Sequence, residues 1–135
     1  MRSSRVLRIL FWGWVAFVVA ASLLPAGTSL PRVPINDKLG HFASYAVLAL
    51  LGTPLVRSPG GRALLWLSIV GLGGALEALQ TLVPGRTAEG GDLAADAFGA
   101  VAGVAVCIAI LAAYSRSPMR RRAAANRASS RSGSK

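Results

Sequence analysis

The chain has 135 residues, is 53% hydrophobic and only 15% charged, and its mean hydropathy is +0.54. That composition leaves too little polar surface for a soluble domain of this length, and it points to one compact membrane bundle. A net charge of +10 could suit nucleic acid. However, seven of the fifteen basic residues lie between Arg116 and Lys135, beside an apolar segment and without interleaved aromatics, so nucleic acid is not an expected partner.

The first element is an apolar run over residues 9–24, preceded by Arg2, Arg5 and Arg8. The alternative for it is a signal peptide, but the run is longer than a usual h-region and no clean small-x-small site precedes Pro25. Further segments cover 39–56, 63–83 and 93–114, each matching the ~20 helical residues that a 30 Å hydrocarbon core requires. Prolines 25, 31 and 34 mark the first loop. Pro54, Pro59 and Gly60-Gly61 mark the second, and Pro84, Gly85, Gly90 and Gly91 the third. The expected fold class is therefore all-α, a polytopic four-transmembrane-helix bundle over residues 9–115. A basic stretch precedes it at 1–8, and a basic tail without apolar periodicity, expected to be disordered, follows at 116–135.

Basic residues in short flanking loops set orientation. Twelve fall on the side of the termini and the second loop. Only Arg32, Lys38 and Arg86 fall on the other side, so both termini are expected in the cytoplasm of a bacterial inner membrane. The tail would contact anionic lipids at roughly 1 kcal/mol per basic residue near the surface. All five acidic residues and the single histidine gather on the outer side. Ionisable groups in a bilayer cost free energy, so such a cluster marks a functional site by default.

Asp37, His41 and Tyr45 are four apart, on one stripe of the second helix, and Asp37 is also a candidate N-cap. Glu77 and Gln80 share a face of the third helix. Glu77 lies six residues before Val83, ~9 Å below the helix end at 1.5 Å per residue. Arg86 offers a planar fork for phosphate or carboxylate. Asp92 is a second candidate N-cap, and Asp96 lies one turn deeper on the same face. Ala95, Gly99, Gly103 and Cys107 make a small-residue ladder that lets helices approach closely and would bring Asp96 towards His41 and Glu77.

Taken in order, Asp37-Lys38-x-x-His41-Phe42-x-x-Tyr45, Glu77-x-x-Gln80, Pro84-Gly85-Arg86 and Asp92-x-x-x-Asp96-x-x-Gly99-x-x-x-Gly103 resemble the VanZ-like family of small bacterial membrane proteins, named after a teicoplanin-resistance factor. The resemblance runs from about Pro34 to Gly103. The chain departs from the family pattern at Asp96, where Asn is usual, and at Ala88-Glu89-Gly90-Gly91, where bulkier residues are usual. The resemblance implies an influence on glycopeptide susceptibility and does not establish a reaction.

Two readings stay open beside it. In one, the protein is an enzyme on a lipid head group or lipid-linked cell-wall precursor. His41, Glu77, Asp92 and Asp96 would form its acid/base set, and Lys38, Arg86, Asp37, Tyr45 and Gln80 would hold the substrate. In the other, it is a non-enzymatic membrane factor that binds a lipid, glycopeptide or partner protein. A small transporter is the third class, disfavoured because no ionisable residue lies in the inner half. His, Glu and Asp together suit Zn²⁺ or Mn²⁺, but no tight ligand motif such as His-Glu-x-x-His is present, and no cofactor is expected.

Overall fold

The computed structural model describes residues 2–25, 37–85 and 89–116, with side chains from Ser4 onward. These residues form α1 (Arg2–Leu23), α2 (Asp37–Gly52), a short 3-10 turn (Thr53–Leu55), α3 (Pro59–Gln80) and α4 (Gly90–Arg116), and among them there is no strand. Arg32, Arg86 and the tail beyond Arg116 lie outside the described residues.

Three helices are long and apolar enough to cross a membrane: Ser4–Leu23, Pro59–Gln80 and Gly90–Arg116. The outward faces suit lipid, since Ile9, Leu64 and Phe98 are each about two-thirds exposed, which a soluble monomer seldom tolerates over so wide a surface. The sequence reading has four spanning segments. The second differs because α2 holds only 16 residues, about 24 Å at 1.5 Å per residue, before Pro54 turns the chain into the 3-10 segment.

The helix ends depart from the hydropathy boundaries for identifiable reasons. Helix α1 begins at Arg2, several residues before the apolar run, because arginine is a good helix former and only lipid depth selects against it. Helix α3 begins at Pro59 and not after the glycine pair. Proline is preorganised for the first helical position, and the Ser58 side chain accepts a hydrogen bond from the Gly61 amide at 3.1 Å. It ends at Gln80 and not at Val83, because the next amides turn back to carbonyls three residues earlier, Leu82 to Leu79 and Val83 to Gln80. Glu77 is consequently three residues from its helix end, ~4.5 Å instead of ~9 Å. Helix α4 begins at Gly90, so Asp92 stands inside the first turn and is not the N-cap expected of it.

Helix α2 is the centre of the bundle. It packs on α1, α3 and, most extensively, α4. Its core residues Tyr45, Leu48 and Ala49 meet Phe11 and Val18 of α1, Ile69 and Leu76 of α3 and Ala100 of α4. The α2–α4 seam is where the small-residue ladder lies. Gly99, Gly103 and Cys107 are buried, and a Cβ on Gly99 or Gly103 would overlap the carbonyl of Phe42 or Ala46 respectively. Backbones this close bring the polar stripe of α2 against that of α4.

Candidate functional site

At the end of the bundle where α2 and α4 begin, the close seam turns His41 towards Asp96. His41 Nδ1 lies 3.0 Å from Asp96 Oδ1. An ionised carboxylate only accepts, so Nδ1 donates and the ring is fixed with Nε2 facing away from Asp96. Nε2 faces Asp92 Oδ2 at 3.9 Å, too far for a hydrogen bond. Asp37, one turn before His41, places a carboxylate oxygen in the same group. One ligand atom each from Asp37, His41 and Asp92 lie within 4.8 Å of one another.

Asp96 is 1% exposed and Asp92 6%, whereas Asp37 is exposed and His41 half-buried. The Asp96 carboxylate occupies space that α3 leaves open for it. A Cβ on Gly73 would come to 2.5 Å from Asp96 Oδ2 and 3.2 Å from Tyr45 Cε1. Glycine at 73 is thus a condition for the carboxylate, and Tyr45 closes its other side.

Lys38 and Glu89 form the rim. Lys38 Nζ donates to Glu89 Oε2 at 2.9 Å and lies 3.7 Å from Asp92 Oδ1. The hydrogen bond to Glu89 raises the Lys38 ammonium above its ordinary range, and the same bond lowers the Glu89 carboxyl below its own. Both side chains are more than half exposed, so this pair adds little stability. The Glu89 amide donates to Glu77 Oε2 at 3.1 Å, which ties the loop before α4 to α3.

Five buried side-chain polar atoms among the described residues have no hydrogen-bond partner, and three belong to this site: Glu77 Oε1, Asp92 Oδ1 and Asp96 Oδ2. Unsatisfied buried acceptors are costly, typically ~1–3 kcal/mol each. Their concentration here means that the site has acceptor capacity for a cation or a donor-rich ligand. A cleft of about 140 Å³ opens beside it, lined by Asp37, Gly40, His41, Tyr45 and Gln80 with Ser22 of α1.

The structure therefore brings together Asp37, Lys38, His41, Tyr45, Asp92 and Asp96, and ties Glu77 of α3 to the neighbouring loop through the Glu89 amide. Gln80 lines the cleft, but its amide is used structurally, donating to the Ser22 carbonyl at 3.0 Å. Arg86 lies outside the described residues. Sequence reasoning missed Gly73, because helical spacing within α4 says nothing about which α3 residue faces Asp96. It also missed the double role of Glu89, whose side chain holds Lys38 while its amide holds Glu77. An acidic residue in the loop before α4, at the same end of the bundle as Lys38, was the available signal.

Comparison with protein-family models, with curated proteins and with solved structures finds no match for this chain.

Proposed function

We propose that the chain is a VanZ-like integral membrane protein whose polar site receives a lipid head group or lipid-linked cell-envelope precursor and thereby influences glycopeptide susceptibility. In this reading α1, α3 and α4 span the bacterial cytoplasmic membrane, with both termini inside. Helix α2 completes a four-helix bundle despite its length, because its position among the other helices shields it from lipid. Residues 39–56, most of α2 with the 3-10 turn that follows, would form the fourth embedded segment, and the site would open to the outer face.

The observation that carries the proposal is the gathering of buried carboxylates, with oxygens that lack a hydrogen bond, around His41, which itself lines a small cleft with Asp37 at one end of an apolar bundle. Such oxygens suit the ammonium, hydroxyl or amide donors of a head group, and Lys38 supplies a cation for its phosphate. His41, held by Asp96 and open at Nε2, is the group able to take or give a proton there. Catalysis on the bound head group and simple binding share this geometry.

The test is the lipid that copurifies with the full chain, read by mass spectrometry of protein extracted from bacterial membranes. His41→Ala and Asp92→Asn should each lower the retained head-group lipid at least roughly tenfold, as loss of a central polar contact of ~1.4 kcal/mol or more implies. Expression of the unaltered chain should raise tolerance to a teicoplanin-type glycopeptide, and the variants should not. Equal lipid retention by all three proteins would overturn the reading.

A further inference from the structure

Asp37, His41 and Asp92 have the composition and spacing of a cation site and lack the contacts of a structural cluster. If they served only to hold α2 against α4, Asp92 and His41 would hydrogen-bond, but Nε2 and Oδ2 stop at 3.9 Å. Ligand atoms sharing one ion through bonds of about 2.0–2.2 Å stand about 3–4.4 Å apart. The His41–Asp92 separation already fits. The widest distance of the trio, 4.8 Å, needs a closure of a few tenths of an ångström that the exposed Asp37 side chain is free to make.

Two further observations on these residues point to a ligand. Asp92 is 94% buried by its 6% exposure, yet its Oδ1 has no hydrogen-bond partner. His41 Nδ1 is bonded to Asp96, the arrangement in which a metal-ligating histidine has its tautomer and ring angle fixed by a carboxylate behind it. Charge agrees. Four carboxylates, Asp37, Glu89, Asp92 and Asp96, face one lysine and one histidine, and Lys38 is engaged chiefly by Glu89 at 2.9 Å. With His41 neutral, as a metal ligand must be, the carboxylates exceed the one lysine, so a cation in their midst lowers the local negative charge.

We propose that Asp37, His41 and Asp92 bind a divalent cation of the Zn²⁺ or Mn²⁺ class, with Asp96 as the positioning residue behind His41. One imidazole and two carboxylates suit these borderline ions better than Mg²⁺, which favours all-oxygen shells. Three protein ligands beside the cleft lined by Asp37 and His41 leave coordination positions open to whatever enters it. This site lies within the one proposed to receive a head group, but its binding is measured without lipid, so either proposal can fail while the other stands.

The experiment strips tag-free, full-length protein in detergent with a chelator. It then titrates Zn²⁺, Mn²⁺ and Mg²⁺ separately, reading bound metal by mass spectrometry after desalting and bound Mn²⁺ by electron paramagnetic resonance. One equivalent of Zn²⁺ or Mn²⁺ per chain is expected. Asp37→Asn, at an exposed position where folding is not at stake, should lose most of the binding, and His41→Ala and Asp92→Asn should abolish it. Asp96→Asn should keep one equivalent at saturation while weakening affinity 10–100-fold, with an altered Mn²⁺ spectrum. The proposal is overturned by the absence of stoichiometric binding, by a preference for Mg²⁺, or by full affinity in Asp37→Asn.

Discussion

The α2–α4 seam makes the sharpest demand on sequence, so Gly99→Ala and Gly103→Ala test the structure most directly. The added methyl meets the Phe42 or Ala46 carbonyl, backbone atoms that cannot rotate aside. Restoring van der Waals separation, about 3.5 Å for such atoms, from the 2.1–2.2 Å of the built methyls requires α4 to withdraw by about 1.3–1.4 Å. Overpacking of this kind costs about 1–3 kcal/mol, and the better helix propensity of alanine returns up to ~1 kcal/mol. A net loss of about 1–2 kcal/mol is expected for each single variant. Residues 99 and 103 are one turn apart on the same seam, so one withdrawal accommodates both methyls and the double variant should cost less than the sum. Gly71→Ala is the control. Gly71 is in the interior of α3 with nothing within 4 Å of its built Cβ, so the propensity gain should appear alone. Unfolding in mixed micelles, followed by circular dichroism, measures all four proteins. A withdrawal of that size would also stretch the 3.0 Å His41–Asp96 contact past hydrogen-bond range, so the seam variants should lose site function together with stability. Gly99→Ala and Gly71→Ala proteins of equal stability would refute the close seam.

Glu77 has no cationic partner among the described residues, one oxygen on the Glu89 amide and the other unpaired. Glu77→Gln keeps an acceptor for that amide and removes a buried charge. Stability in the same unfolding assay should therefore hold or rise, whereas loss of a structural ion pair would show as ~3–5 kcal/mol of destabilisation. The Lys38–Glu89 contact predicts a pH window. Glu89, lowered in the fold, contributes above its ordinary value of 4.5 and loses that contribution as pH falls through its folded value. Lys38, raised in the fold, contributes below 10.5 and loses its part as pH rises through its folded value. The small melting difference between wild type and Glu89→Gln should thus be level between those limits and vanish in acid. A difference that does not shrink as pH falls below 4.5 would contradict the pairing.

The all-helical class, the polar stripes of α2 and α4 and the small-residue ladder of α4 were legible in the sequence, because each follows from the composition and 3.6-residue period of single helices. Helix ends were less so. Hydropathy reports which residues lipid accepts, and the caps that end a helix are local: Ser58 with Pro59 at one end of α3, and the turn bonds after Gln80 at the other. Relations between helices were the least legible. Nothing in α4 alone says that Asp96 Oδ1 meets His41 while Oδ2 faces Gly73, and nothing in the sequence before α4 says that the Glu89 amide reaches Glu77.

The charge on Asp96 is the residue-level choice with the largest consequence. An asparagine would accept the same hydrogen bond from His41 Nδ1 without burying a carboxylate at 1% exposure, and a buried charge without a full set of partners costs free energy that an amide does not. Holding the ring in place is therefore insufficient reason for an aspartate. What a carboxylate adds over an amide is negative charge behind the imidazole, which strengthens Nε2 as a donor of its lone pair to a cation on the far side. That far side faces Asp92 at 3.9 Å, with Asp37 in reach and no hydrogen bond joining them. A positive species in the space between these three residues would offset the free energy of burying Asp96. A proton on Nε2, the ammonium of a head group or a metal ion would each do so. The metal ion is the one of the three that can take His41, Asp37 and Asp92 at once.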